Sequence, residues 1–341
     1  MGPMPKKKSL TLQRVLVLLL AYIMLAVCGG VAASVLFVPG VIGANKAAKA
    51  VIPSLKVENV DFDVTSLPQK STMYARDGST VIATFYNQNR IVVPLKKISK
   101  TMQQAVVARE DRRFWTHAGV DVQGVMRAFV QTYLVKGSQQ GGSSLTQQYV
   151  KNVLLMQAIE DDDSIAQYHA TEDTIARKIR EMLISVQMEK KYSKAEILQG
   201  YLNIAQFGNN LYGVETAAQR YFSVSAADLN VVQSATIAAI TKNPSLYDPL
   251  VEENQKESEN QRNIVLKLML QEGYITQKQY TEAVNTPLKD TLKAQDVNVG
   301  CQDTGDYAYF CDFVVHRIQN SEEFGKTRAE RNKLRSEEHT S

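Results

Sequence analysis

The chain has 341 residues and a formal net charge of +4, with 44% hydrophobic and 22% charged residues. That length supports a sizeable core and more than one structural unit, and the composition excludes wholesale disorder. Basic residues cluster only at the N-terminus, so no nucleic-acid surface is marked; three cysteines without a Cys-x-x-Cys pair exclude a disulfide scaffold and a zinc ribbon.

Lys6, Lys7, Lys8 and Arg14 precede residues 15–38, which contain no charged residue. As a helix rising about 1.5 Å per residue, this run exceeds the ~30 Å hydrocarbon core. The basic residues ahead of it predict a cytoplasmic tail at 1–14, one membrane-spanning anchor at 15–38 and an extracytoplasmic remainder. A cleaved signal peptide competes, with Ala32-Ala33-Ser34 as a cleavage-like site. The apolar run is longer than a usual signal core, so a single-pass cell-membrane anchor is expected. Residues 39–70 read as an external linker.

Thr72-Met73-Tyr74-Ala75-Arg76, the pair Asp77-Gly78 and Val81-Ile82-Ala83-Thr84-Phe85-Tyr86 predict a hairpin with a tight type I′ turn. Ile91-Val92-Val93-Pro94 reads as another extended piece. From about Lys100 the chain reads as helical. Val122, Val125, Met126, Phe129, Val130, Tyr133 and Leu134 form one helical face, either packed on the core or lying in a membrane interface.

Residues 156–174 carry Glu160-Asp161-Asp162-Asp163, His169, Glu172 and Asp173 and read as a mobile, solvated acidic loop, with a weak divalent-cation site as the alternative. Residues 175–191 predict a helix, and Ser193 with Glu196 forms a capping box for the next. Residues 226–241 are apolar almost all round and predict one buried helix, stopped at Asn243-Pro244. Residues 261–284 read as two helices broken at Glu272-Gly273, and after Pro287 the pattern weakens.

Two runs concentrate the chemistry. Glu110-Asp111-Arg112-Arg113-Phe114-Trp115-Thr116-His117-Ala118-Gly119-Val120-Asp121 offers proton-transfer groups. Gly141-Gly142-Ser143-Ser144-Leu145-Thr146-Gln147-Gln148-Tyr149-Val150-Lys151-Asn152 offers neutral donors and a cation suited to phosphate and sugar oxygens. Alone, the first also reads as a solvated helix end and the second as an N-cap with a polar face. Together and in this order they resemble the first two signature motifs of the peptidoglycan glycosyltransferases, family 51, the glycan-polymerising module of class A penicillin-binding proteins. The resemblance continues through Arg177-Lys178-Ile179-Arg180-Glu181, Tyr201-Leu202-Asn203, Phe207-Gly208, Tyr212-Gly213, Ala217-Ala218 and Asn243-Pro244-Ser245-Leu246-Tyr247-Asp248-Pro249, spanning roughly residues 70–285.

This resemblance implies a mostly α, lysozyme-like glycosyltransferase domain at 71–287, with a small N-terminal β-hairpin region. It implies polymerisation of lipid II onto a growing glycan chain, next to membrane lipid and alongside other cell-wall synthesis and division proteins. Glu110 matches the general base and Glu181 the second glutamate, near the pyrophosphate. Arg113, Ser143, Gln147, Gln148, Lys151, Arg177 and Lys178 match substrate-binding positions, and His117 and Asn203 match structural supports. The family usually has Thr where this chain has Ser144, which keeps the hydroxyl and loses a methyl. No cofactor is certain; a divalent cation, magnesium or manganese, assisting the pyrophosphate stays open.

The bland reading of Glu181 is a helix-surface acid paired with Arg177 four residues before it. Phe114 and Trp115 would strengthen Glu110 as a base, whereas Arg112 or Arg113 would weaken it. Two rivals remain: a lytic transglycosylase that cleaves glycan, which needs no pyrophosphate cradle, and a non-catalytic membrane-anchored scaffold.

Residues 288–334 read as a linker toward a penicillin-binding domain that is absent here, since no serine is followed three residues on by lysine. Cys301 and Cys311 within it, in an oxidising setting, are expected to form a disulfide. Residues 335–341 read as a sequence artefact, with the natural chain expected to continue.

Overall fold

The computed structural model describes residues 71–85, 89–129, 142–295, 301, 305–327 and 330–331, all within the unit Val57–Ser341. The expected tail, anchor and linker before residue 71, the stripe positions Val130, Tyr133 and Leu134, and the artefact at 335–341 lie outside the described residues. Among the described residues no helix is long and apolar enough to cross a membrane. The fold is mostly helical with a small β region.

Strands β1 (Ser71–Tyr74) and β2 (Val81–Phe85) pair antiparallel. Residues 75–80 lie between them, so Asp77-Gly78 does not make the expected two-residue turn. The Asp77 carboxylate accepts from the Thr80 hydroxyl and from the amides of Thr80 (2.8 Å) and Ser79 (3.0 Å). The side chain thus adds its bonds to the backbone turn bond from the Gly78 amide to the Ala75 carbonyl at 2.9 Å and braces the longer loop. These bonds, the Thr80 hydroxyl first, hold the Asp77 carboxyl down to about 2.

The next strand is β3 (Asn89–Arg90), just before the expected Ile91–Pro94 piece. The Ile91 amide donates to Thr216 Oγ1 and the Val93 amide to Asn203 Oδ1, both at 2.9 Å, so side chains take the bonds a strand would need. A small sheet of order β3-β5-β4 joins β3 to β4 (Gln206–Gly208) and β5 (Leu211–Tyr212), with β3 and β5 parallel.

The helices follow local capping chemistry. Ser99 caps α1 (Lys100–Glu110) by accepting from the Met102 amide, and α1 buries Met102, Ala105, Val106, Val107 and Ala108. Helix α2 (Val122–Phe129) leaves Val122 67% and Met126 60% exposed and Val125 half-buried, so the described part of the apolar stripe is not packed wholly on the core. Its buried position is Gly124, whose amide bonds Asp121 at 3.0 Å and leaves no room for a side chain.

Helix α3 (Leu145–Glu160) starts in a capping box of Ser144 and Gln147. The expected acidic loop is largely helical: α3 runs to Glu160, and α4 (Ser164–Thr171) begins where Asp163 accepts from the amides of Ile165 and Ala166. An acid at a helix N-terminus meets unpaired amides and the positive end of the dipole, so the charge run nucleates structure here. Helix α5 (Ile175–Lys191) is capped by Thr174, and α6 (Lys194–Ile204) by the Ser193–Glu196 box.

After α7 (Val214–Phe222), the single helix expected at 226–241 is broken. Residues Ala226–Asp228 form a 3₁₀ turn, and α8 (Val231–Ile240) restarts in a capping box of Asn230 and Gln233. Helix α8 buries every residue from Ser234 to Ile240 and packs against α1 and α9 (Gln255–Gln271) to form the centre of the core. Each side-chain cap is typically worth about 1 kcal/mol.

Helix α10 (Gln277–Asn285) follows, capped by Thr276. Beyond α11 (Leu288–Thr291) the chain stays attached, with the Lys293 and Gln295 amides bonding the carbonyls of Tyr221 and Arg220. Helix α12 (Ala308–Asn320) carries Cys311, joined to Cys301 by a disulfide with 5.5 Å between Cα atoms. Ile82 and Ala83 of β2 pack with this cystine in a small satellite cluster.

Candidate active site

Glu110 is the last residue of α1. Its Oε2 accepts from Gln148 Nε2 at 2.6 Å and its Oε1 from the Thr241 hydroxyl at 2.6 Å. Thr241 caps the end of α8, so the core helix pair α1–α8 sets the position of this carboxylate. Below lies Tyr201, fully buried; its burial first, then the Glu110 charge, push the phenol well above its ordinary range, with Thr241 opposing.

The neighbouring arginines are engaged elsewhere. Arg113 grips Asp121 through two bonds, Nε to Oδ1 at 3.0 Å and Nη2 to Oδ2 at 2.6 Å, which raises the guanidinium above its usual value. Burial pushes the Asp121 carboxyl up, but the Arg113 and Gly124 bonds win and hold it below the usual carboxylate range. Arg112 lies 3.7 Å from Glu272. Phe114 is buried, while Trp115 is 45% exposed.

Asp111 ties the two sequence runs together. Its Oδ2 accepts from the Leu145 amide at the start of α3 (2.9 Å) and lies 2.7 Å from His117 Nε2. His117 Nδ1 is 3.9 Å from Glu189, which accepts from Thr146 (2.6 Å) and pairs with Lys194 (2.7 Å). The Lys194 ammonium sits 4.6 Å from the Phe114 ring centroid. His117 therefore works inside a buried scaffold. Asn203 does the same, exchanging bonds with both backbone groups of Val93 at 2.9 Å and donating to the Gln199 carbonyl at 2.8 Å.

Gly119 closes this loop at φ +88°. A Cβ there would lie 2.6 Å from the Ser185 carbonyl of α5, and the Gly119 carbonyl accepts from Ser144 Oγ at 2.6 Å. Gly119→Ala should therefore destabilise the domain by at least about 1–3 kcal/mol, from left-handed strain alone. Thermal unfolding would measure it, and an unchanged midpoint would remove this close approach as a constraint.

The second cluster surrounds Glu181, which is buried at 2% exposure on α5. Arg177 Nη1 bonds its Oε1, and Arg177 Nε bonds the Glu172 carbonyl. Lys178 Nζ lies 3.2 Å from Glu181 Oε2 and donates to Ser143 Oγ at 2.9 Å. Lys151, half-buried on α3, has no hydrogen bond or ion pair among the described residues. Burial lowers its ammonium below the usual lysine range; Glu181 opposes this, and the charges of Arg177 and Lys178 add to it.

The structure thus gathers Gln148 with Glu110, and Ser143, Lys151, Arg177 and Lys178 with Glu181. Gln148 and Lys151 are three residues apart on α3, which places them on one helix face and links the clusters. Gln147 is buried, with Oε1 accepting from the Ser144 amide at 2.8 Å because N3 of a capping box points back at the cap, and its Nε2 has no hydrogen bond among the described residues. Arg113 stands apart in its pair with Asp121.

Among the described residues no group of three or more His, Cys, Asp or Glu is placed to hold a metal. The donors around Glu181 do not fit a divalent cation either. Both carboxylate oxygens already face cations, and a metal there would meet three positive side chains.

The family model of the transglycosylases, described as "Transglycosylase", matches residues 78–270. The chain belongs to that family. It is 38% identical over 272 residues to penicillin-binding protein 4 of Bacillus subtilis (strain 168), covering 79% of this chain and 40% of that protein. It is 39% identical over 229 residues to penicillin-binding protein 1A of Aquifex aeolicus (strain VF5), covering 67% and 29%. The crystal structure of penicillin-binding protein 1A from Haemophilus influenzae aligns at TM-score 0.42 and 24% identity, covering 77% and 26%. The chain spans well under half the length of these relatives.

Proposed function

We propose that this chain is a peptidoglycan glycosyltransferase that polymerises lipid II into β-1,4-linked glycan strands with inversion, releasing undecaprenyl pyrophosphate. The observation that carries the reading is the three-cation cluster at Glu181, linked along one face of α3 to a second glutamate that, among the described residues, is bound only by neutral donors. In a single displacement the acceptor 4-hydroxyl oxygen bonds to the donor's anomeric carbon. Its proton passes to Glu110, and the carbon–pyrophosphate bond breaks with its electrons leaving on the phosphate oxygen. Inversion follows from attack opposite the leaving group.

Glu110 suits the base role because among the described residues no cation pairs with it, so its carboxylate keeps lone pairs for the incoming proton. Lys151, Lys178 and Ser143 offer donors to the departing pyrophosphate, and preorganised cations there stabilise charge that develops only in the transition state. Arg177, spent on Glu181 and a backbone carbonyl, acts by fixing Glu181. Strand cleavage by a lytic transglycosylase expels no pyrophosphate and gives these cations no task. The lysozyme-like arrangement, the membrane anchor at 15–38 and an extracytoplasmic site belong to the same reading, supported by the sequence.

The test is incubation of the detergent-solubilised chain with labelled lipid II. Glycan polymer is expected. Cleaved muropeptide from preformed glycan would transfer the reading to a lytic enzyme, and no product from either substrate would leave a scaffold.

A further inference from the structure

Thr241 was not marked by any motif, yet it reaches the base from 131 positions away in sequence. Its single hydroxyl donates toward two acceptors, Glu110 Oε1 at 2.6 Å and the Ala238 carbonyl of its own helix turn at 2.8 Å, with the buried Tyr201 phenol beside it. One O–H can serve only one of them at a time. While Glu110 is ionised, it is the stronger acceptor, because a charge-assisted bond is roughly twice as strong as a neutral one. Gln148 holds the other oxygen. No such alternative is printed in the sequence, since the pairing is set by the packing of α8 on α1.

We propose that Thr241 is the positioning residue for Glu110, a hydroxyl rotor that holds the ionised carboxylate in line and turns to Ala238 once the carboxyl is protonated. This rests on the polymerase reading. The proton that triggers the turn is the one Glu110 takes from the acceptor hydroxyl as the new glycosidic bond forms and the pyrophosphate leaves with the old bond's electrons. Because the second acceptor lies within the same helix turn, the rotor changes partner without moving its backbone. The carboxylate is thereby fixed before reaction, and the neutral carboxyl is released after it. Substrate touches Glu110, and Thr241 acts through it.

Thr241→Val keeps the shape and removes the O–H. In lipid II polymerisation by the full chain, kcat is expected to fall about 10- to 100-fold, the worth of a hydrogen bond to a charged group. KM is expected to stay within about threefold, because the lost interaction acts on the reacting carboxylate. Thr241→Ser, which keeps the hydroxyl, should recover most of that turnover. In a Glu110→Gln background, Thr241→Val should add little further loss, since the two residues act as one unit. Thermal unfolding of each variant separates these effects from a folding defect.

Polymer from the wild-type chain together with full turnover in Thr241→Val would overturn this proposal alone. So would a Ser variant as impaired as the Val variant while equally stable, or additive losses in the double variant. Absence of polymer from the wild-type chain would instead overturn the polymerase reading, and this proposal with it.

Discussion

Glu110→Gln is expected to lower lipid II polymerisation by at least ~10²-fold, the lower end of what general-base help contributes. Glutamine preserves the size of the side chain and leaves a carbonyl oxygen to accept from the Thr241 hydroxyl. Gln148 can turn its own amide to meet the new one, so the site stays assembled. What disappears is the proton acceptor. Because that loss is confined to the transition state, kcat should fall while substrate affinity changes little. The measurement is gel-resolved polymer from labelled lipid II, with Glu160→Gln at the end of α3 as a variant expected to keep the wild-type rate. Wild-type turnover in Glu110→Gln would remove Glu110 as the base.

The features legible in the sequence were those written locally. The cap Ser193–Glu196 is encoded within four residues, and its helix starts where the pattern puts it. The family match at Glu110 and Glu181 likewise rests on short runs. Where two local signals compete, the sequence was ambiguous. Asp163 belongs to a charge run that reads as solvated, yet its carboxylate accepts two helix amides. Asp77 precedes a glycine that suits a tight turn, yet it sits in a longer loop in which its side chain accepts from the amides of residues 79 and 80. Gln147 offers an amide that suits a sugar, yet the cap takes its oxygen.

Long-range partners were not legible at all. The Thr241–Glu110 and Leu145–Asp111 bonds depend on which helices pack together. Side-chain pattern fixes the inward face of a helix, not the neighbour it meets.

Lys151→Met is expected to cut turnover and, unlike most losses of a site residue, to leave the fold as stable or more so. The ammonium carries three donors, and none is used among the described residues. Partial burial without a partner costs free energy, and methionine fills a similar volume without charge. Residues poised for a ligand commonly carry this trade between stability and function. Losing a preorganised cation at the leaving group should lower kcat by about 10²–10³-fold.

Arg177→Met gives the contrast. It strips a buried partner from Glu181, and breaking a buried pair typically costs about 3–5 kcal/mol, so activity and stability should fall together. The pH dependence adds a sign. The folded chain holds the Lys151 ammonium below its ordinary value of 10.5, so its charge opposes folding at neutral pH. That penalty fades as pH rises through the lowered value and is gone above 10.5. The stability advantage of Lys151→Met should therefore be largest near neutrality and shrink toward alkaline pH, as read by thermal unfolding across that range. A methionine variant that is both less stable and fully active would show that Lys151 belongs to the scaffold and that the pyrophosphate is met elsewhere.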